Sequence, residues 1–504
     1  PFIILISIGY AILYNFGTNI IFGEISYITQ SLAAVLQMGV TLDYSIFLLH
    51  RYEEECKNSE NKEEAMAEAI GKTASSIVGS SLTTIAGFLA IAVMELTIGK
   101  DIGFVMAKGV VFGVISVLTI LPALILTFEK TINRFNHGTI LPEFKGLAKL
   151  VTQHYMIFIL IGILIFIPAF YGQQNNDIYY NLDESLPDDM ESIIAFRKLK
   201  DDYNMMTTHM VLLSKDTPNY KIKEMIDEIE TVEGIENVLT YQKLIGANVP
   251  ENFIPNEIKD RFEQGDYKQI IINSKFKAAT DEENTQIEKI EKVIKKYDSE
   301  AILTGEGVLT KDLITIADSD FKRVNTLSII AVFTIILMVF TSFSIPVLLI
   351  ILIMLAIFIN MSIPYYLGHS IPFIAGIVIG SIQLGATVDY AILLTTRFRE
   401  EIREGHEKFE AMEISVRESA KSIITSGLAF FGSTIGVAVI SQIEIIKSLS
   451  SMIARGALIS TGVILFILPG VLVVSESLIR STSRNWNKGA VEKAEKGRIV
   501  YENK

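Results

Sequence analysis

The chain has 504 residues, half of them hydrophobic and 20% charged, with a mean hydropathy of +0.40. That is too apolar for a soluble enzyme of this size and too charged for a wholly embedded bundle, so the chain is a mixed membrane protein. A formal net charge of −13 argues against nucleic acid, whose binding needs a basic surface, and no nucleic-acid partner is expected. The single cysteine, Cys56, rules out an internal disulfide framework. Pro1 already lies inside an apolar run, which reads as a fragment lacking its N-terminal part, with no signal segment in view.

A spanning helix needs about 20 mostly apolar residues. In chain order the candidate spans are roughly 1–17, 28–50, 74–95, 103–128, 154–171, 325–343, 345–365, 371–396, 420–441 and 448–476, ten in all. Between the fifth and sixth lies a polar stretch, Gly172 to Val324, with 31 acidic and 19 basic residues and hence nearly the whole net charge. The expected organisation is a first bundle over 1–171, a polar domain over 172–324, a second bundle over 325–480 and a basic tail over 481–504. Lys130, Arg134, Lys145 and Lys149 follow the fourth span, and Arg480, Arg484, Lys488, Lys493, Lys496 and Arg498 sit in or near the tail. The positive-inside rule places these in the cytoplasm and the acidic domain outside. The opposite short loops, Thr18 to Tyr27 and Tyr366 to Ile371, contain neither lysine nor arginine.

The polar domain alternates strand and helix signals. An apolar run at His209 to Leu213 precedes a helical pattern over Ile222 to Thr231 and a strand over Ile235 to Tyr241. A second cycle follows with Gln269 to Ile272, a helix over Asn284 to Tyr297 and a strand over Ala301 to Thr304. Two such cycles predict a ferredoxin-like split βαβ domain. The acidic run Asp281-Glu282-Glu283 reads as a solvated helix start favoured by the helix dipole.

The first bundle is repeated in the second. GVTLDYSIFLLHRYEEE, Gly39 to Glu55, returns as GATVDYAILLTTRFREE, Gly385 to Glu401, with nine identities in 17 positions at an offset of 346. The same register pairs Gln37 with Gln383, Ser76-Ile77 with Ser422-Ile423 and Ser80 with Ser426. One inserted residue later, Lys108-Gly109 pairs with Arg455-Gly456 and Leu121-Pro122 with Leu468-Pro469. Duplication of a helical bundle is a known construction plan of transporters.

Asp43 and Asp389 stand inside otherwise apolar helices, where a carboxylate costs roughly 2.5–3.5 kcal/mol to insert. With no cation in the same helix core to hold them ionised, they are suited to take up and release protons. The alternative is that each merely pins helix packing by a hydrogen bond. Across a pseudo-twofold axis the hydroxyl of each tyrosine reaches the aspartate of the other half, which predicts the pairs Asp43 with Tyr390 and Asp389 with Tyr44. Thr41, Thr387, Gln37 and Gln383 either extend this chain or satisfy backbone groups. Gly39, Gly385, Gly376 and Gly380 are expected to allow close helix approach, and Arg51 and Arg397 to anchor the helices at the interface.

The repeated G-x-T-x-D-Y, with R-[YF]-x-E-E twelve residues after its first glycine and an LP motif later, resembles the resistance-nodulation-division superfamily. Within it the likeness is to the mycobacterial-membrane-protein-large type, hydrophobe and amphiphile exporters whose membrane block overlaps the sterol-sensing domain. The resemblance implies a pseudo-twofold bundle of twelve spans with porter domains after the first and seventh. This chain would then hold family helices three to seven, one porter domain and helices eight to twelve. It further implies that protons moving inward through Asp43 and Asp389 drive rocking of the repeats, coupled to outward movement of a lipid-like or amphiphilic cargo. Membrane lipids and that cargo are the expected partners. A homo-oligomer is compatible with the pattern, and a porter domain this short lacks room for the extension that docks an outer-membrane channel.

No phosphate-cradling glycine loop is present, so ATP is not the expected energy source. The six histidines show no metal-ligand spacing, and neither a metal, a cofactor nor a catalytic residue is expected, which makes an enzyme the weakest reading. Two rivals to transport remain open: a protein-export auxiliary resembling SecD and SecF, and a lipid-sensing scaffold without transport.

Overall fold

The computed structural model describes residues 2–57, 59, 61–134, 144–180, 186–187, 189–240, 243, 260, 262–484 and 486, apart from the side chains of Ser75 and Asn133. The tail lysines, Arg498 and the expected strand end at Tyr241 lie outside the described residues. The chain forms two compact units, one within Pro1–Ile178, Asp320–Ser441 and Ile445–Lys504, the other within Tyr179–Ser319 and Gln442–Glu444.

The first unit is a helical membrane bundle. Its first half holds α1 (Phe2–Gly17), α2 (Tyr27–Glu55), α3 (Lys62–Ile91), α4 (Thr97–Thr127), the short α5 (Glu129–Arg134) and α6 (Lys145–Gln153), and α7 (Tyr155–Gln174). Nine helices among the described residues are long and apolar enough to cross a membrane. The pair Lys62–Ala74 and Ser76–Ile91, bent by 42°, brings the number to ten when counted as one span. Hydropathy predicts ten. Helix starts are fixed by local chemistry: Ser26 accepts the Ile28 N–H at the head of α2, and Asn61 accepts the Glu63 N–H at the head of α3. Glu63 and Glu64 in the first turn of α3 complement its dipole.

In the second unit α8 (Glu191–Tyr203) precedes a sheet of β1 (Thr207–Ser214), β2 (Ile235–Leu239), β3 (Glu263–Gln264), β4 (Tyr267–Ser274) and β5 (Ile302–Gly305), with α9 (Asn219–Ile229) and α10 (Asp281–Tyr297) between strands. The strand order is β2-β4-β1-β5, with β3 added on β4. β1 pairs with β4 and β5, and β4 with β2 and β3, all antiparallel: Thr207 faces Ser274 across β1 and β4, and His209 faces Gly305 across β1 and β5. This is the split βαβ arrangement. Alternate residues of β1 are buried, and Val211 and Leu213 meet Ile270 and Ile272 of β4 beneath Ile222, Met225, Ile226 and Ile229 of α9 and Ile290 and Ile294 of α10. One expectation fails here. Glu283 does not belong to a solvated helix start: Asp281 and Glu282 face water, but Glu283 is fully buried.

α11 (Glu306–Phe340) opens the second half of the bundle, followed by α12 (Ser344–Leu367), α13 (Phe373–Glu404), α14 (Lys408–Ile440), α15 (Glu444–Phe466), α16 (Leu468–Val474) and α17 (Glu476–Thr482). Left-handed glycines, Gly368 at φ +67° and Gly405 at φ +101°, close α12 and α13. The α1–α4 order recurs as α12–α15, and the halves meet through α2 against α14 and α3 against α13. α3, α11 and α14 begin well ahead of the apolar stretches at 74, 325 and 420, because polar helical turns continue each span beyond the segment that hydropathy detects.

Candidate functional site

The 346-residue offset puts Asp43 and Tyr44 on α2 and Asp389 and Tyr390 on α13 at equivalent turns. Both tyrosines are buried, and the two aspartates are half-buried. Tyr390 Oη donates to Asp43 Oδ2 at 3.0 Å, which joins the two repeats through one of the expected pairs. The remaining oxygen, Asp43 Oδ1, is buried without a protein partner. On the other side the arrangement differs from twofold expectation. Asp389 Oδ1 accepts from Thr83 Oγ1 of α3 at 3.2 Å, and Tyr44 Oη lies 3.5 Å from Thr84 Oγ1. Thr84 Oγ1 also donates to the Gly385 carbonyl at 3.1 Å, so the tyrosine reaches α13 through a threonine instead of the carboxylate.

Ser80 lies against Asp389 and Ser426 against Asp43, each contributed by the opposite repeat. Neither serine stood among the expected site residues, although the repeat register already aligned them. Thr83 and Thr84 carried no such signal, since a threonine in an apolar helix is usually a neutral packing residue.

The glutamines and threonines are not part of this cluster. In a helix of 3.6 residues per turn, Thr41 precedes Asp43 by two positions and Gln37 by six, which turns both toward a different face. Gln37 Oε1 accepts from Asn15 Nδ2 at 2.9 Å, and Gln383 Oε1 accepts from Asn360 Nδ2 at the same distance. Gln383 Nε2 donates to Ser460 Oγ at 2.9 Å, and Thr387 Oγ1 donates to the Gln383 carbonyl at 2.6 Å. Each half adds a cation. Lys108 Nζ donates to the Asn15 carbonyl at 2.9 Å and to Asn19 Oδ1 at 2.6 Å, while Arg455 Nε donates to Asn360 Oδ1 at 2.9 Å. Gly109 and Gly456 make room, because a Cβ at either would stand 2.7 Å from the asparagine Nδ2. The bundle therefore contains two polar layers, a carboxyl and tyrosine cluster between the repeats and an amide and cation cluster within each repeat.

Two of the four glycines sit at close crossings. A Cβ on Gly39 would stand 2.6 Å from the Phe430 ring, and one on Gly385 would stand 3.5 Å from the Thr84 backbone. Gly87 of α3 completes that second crossing, its added Cβ 3.2 Å from Gly385 Cα. A Cβ on Gly376 would meet only Phe321 at 3.6 Å and one on Gly380 nothing within 4 Å, so close helix approach does not account for those two.

Arg51 and Arg397 are more than interfacial anchors. Each reaches the glutamate four residues on at 2.8 Å, Glu55 and Glu401 respectively. Lys72 of α3 joins the first pair at 2.9 Å, and Glu418 of α14 lies 2.5 Å from Arg397 in the second. Glu401, Glu404 and His406 also bring potential metal-ligand atoms within 4.8 Å of one another, but Glu401 is already committed to Arg397. Far along the bundle, the buried Asp320 of α11 accepts the Glu95 N–H at 2.9 Å and the Leu96 N–H at 3.2 Å, and Arg323 pairs with Glu95. α11 thereby holds the turn between α3 and α4.

A model of the MMPL family matches residues 1–137 and 188–497, which takes in both repeats and both Asp-Tyr pairs. The chain belongs to the MMPL family. Among its relatives, membrane protein YdfJ of Bacillus subtilis is 21% identical over 446 residues, covering 84% of this chain and 59% of that protein. Probable transport protein MmpL1 of Mycobacterium tuberculosis is 24% identical over 262 residues, 49% of this chain and 27% of that protein. Siderophore exporter MmpL5 of the same organism is 32% identical over 101 residues, 20% of this chain and 10% of that protein. Each match spans less than two thirds of the relative's own length. As an MMPL member with nine or ten candidate spans among the described residues, the chain is a multi-pass membrane protein.

Proposed function

We propose that this MMPL chain is the proton-driven part of a secondary transporter that exports lipid-like, hydrophobic or amphiphilic molecules across the cytoplasmic membrane by proton antiport. The observation that carries the reading is the hydrogen bond from Tyr390 to Asp43, because it joins a titratable group of one repeat to the other repeat. Protonating Asp43 or Asp389 changes which hydroxyls each carboxyl can accept from, and every such hydroxyl on Asp43 and Asp389 comes from the opposite half. A proton gained or lost therefore changes how tightly the halves hold each other, which is the bistable element that rocking requires. The positive-inside charge pattern supports an orientation with the α+β domain outside and the C-terminus in the cytoplasm. The names of two relatives, a probable transport protein and a siderophore exporter, support transport as the activity class.

The test is proton uptake by liposomes holding the full-length protein under an imposed pH gradient, with wild type compared against Asp43→Asn and Asp389→Asn. Loss of flux in both variants is expected. Wild-type flux no greater than that of empty liposomes, even with membrane-lipid extract supplied, would instead favour a lipid-sensing scaffold.

A further inference from the structure

At the root of α11, inside the α+β domain, two titratable side chains are shut away together. His209 on β1 and Glu283 on α10 are both fully buried, with Nε2 3.8 Å from Oε1. No nitrogen of His209 and no oxygen of Glu283 makes a hydrogen bond of full geometry among the described residues, although the Gln286 amide stands beside His209 and the Thr207 hydroxyl and Ala279 N–H beside Glu283. Such orphaned buried groups are rare enough in native folds to need a reason. What covers them is a glycine turn. A Cβ on Gly307 would collide with Glu283 Oε1 and stand 2.7 Å from His209 Cε1. Gly305, at φ +121°, would bring a Cβ within 2.7 Å of His209 Cα, so only glycine fits where β5 turns into α11.

We propose that His209 and Glu283 form a proton-binding site of the α+β domain, whose occupancy tightens or loosens the Gly305–Gly307 joint from which α11 begins. The site stands apart from the membrane carboxyls and does not depend on their role.

The surroundings define its chemistry. From α11 comes the charge of Glu306, which disfavours an ionised Glu283, and from α10 the Gln286 amide beside His209. Lys311 of α11 is held by Glu288 of α10 at 3.1 Å. β5 supplies no titratable side chain, and β4 supplies Asn273 and Ser274 opposite this end of β1. Burial pushes His209 down to about 4 and Glu283 up to about 7. Between those values the pair holds one proton and no net charge, and it gives that proton up near neutrality. An ionised Glu283 then needs donors. The nearby Thr207 hydroxyl is committed to the Phe276 carbonyl at 2.7 Å, which leaves the Ala279 N–H as the one nearby protein donor; a carboxylate calls for more than one, so water has to enter, and the glycine turn is the cover that must yield.

The experiment uses full-length protein in lipid nanodiscs on the Asp43→Asn/Asp389→Asn background, which removes the membrane carboxyls from the signal. Infrared difference spectra across pH should show a protonated-carboxyl band that vanishes with a midpoint near 7 and is absent when Glu283→Gln is added. Hydrogen exchange of residues 302–312 should quicken above the same midpoint, and Glu283→Gln should hold it slow at every pH. A band that survives Glu283→Gln, or exchange at 302–312 that follows no pH midpoint, overturns the proposal. Either result leaves the membrane relay to be judged by liposome flux alone.

Discussion

The hydroxyl of Tyr390 is the most informative single group in the membrane, because its 3.0 Å bond to Asp43 has no counterpart from Tyr44 to Asp389. A hydrogen bond to a charged group is worth about 1.5–3 kcal/mol, and each 1.36 kcal/mol of barrier is tenfold in rate. Tyr390→Phe is therefore expected to lower liposome proton flux by roughly tenfold or more, and Tyr44→Phe by clearly less; equal losses would mean that the two sides exchange roles during transport. Outside the membrane, His209 and Glu283 give the α+β domain a readable stability profile. Glu283 is raised to about 7, so its contribution is complete below its ordinary value of 4.5 and is lost as pH rises through 7. His209 is lowered to about 4, so its contribution is complete above 6.5 and is lost as pH falls through 4. Thermal unfolding should therefore show a plateau between roughly pH 4.5 and 6.5, where the two slopes oppose, and a short decline that levels off near pH 7; Glu283→Gln should remove that decline and turn the plateau into a rise from about pH 4 to 6.5. A decline that persists in the variant would assign it to other groups.

At the scale of the element, the repeat makes the two Asp-Tyr helices legible in the sequence alone. An identical Asp-Tyr at one offset fixes which turns of α2 and α13 correspond, and apolar length alone fixes the spans. What stayed hidden was the direction in which each side chain points once several helices compete for it. Gln37 and Thr41 lie so near Asp43 in sequence that they read as one chain of hydroxyls and amides, yet helical rotation commits Gln37 to Asn15. Asn15 itself lies on another helix, at a distance in sequence that no periodicity exposes. Glycines show the same limit. Gly39 and Gly380 look alike as small residues in spans, but a Cβ meets Phe430 at 2.6 Å at the first and nothing at the second. Gly39→Ala should cost about 1–3 kcal/mol through overpacking. Gly380→Ala should be neutral or stabilise by roughly 0.5–1 kcal/mol through helix propensity. Thermal unfolding in detergent separates the two, and an equal loss at both would show that Gly380 serves a second conformation in which its face is covered.

For the whole molecule, the repeats are equal in order but not in satisfaction. In the second half the Asn360, Gln383 and Thr387 side chains are tied to Arg455, Ser460 and the Gln383 carbonyl. In the first half Asn15 Oδ1, Gln37 Nε2 and Thr41 Oγ1 are buried without protein partners, and Gly113 stands where the register places Ser460. Unmatched buried polar atoms lower the free energy of local opening. The first repeat is thus expected to be the half that yields when the repeats rock, with the second acting as the frame. Hydrogen exchange of the reconstituted protein should be faster in peptides of α1 and α2 than in those of α12 and α13. Asp43→Asn should change exchange more in the first repeat than in the second, because the Asp43–Tyr390 bond is where the yielding half is fastened to the frame. Equal exchange in the two halves would mean that the unmatched groups of the first repeat are satisfied by bound water held as firmly as Ser460 holds Gln383, and that rocking is shared evenly.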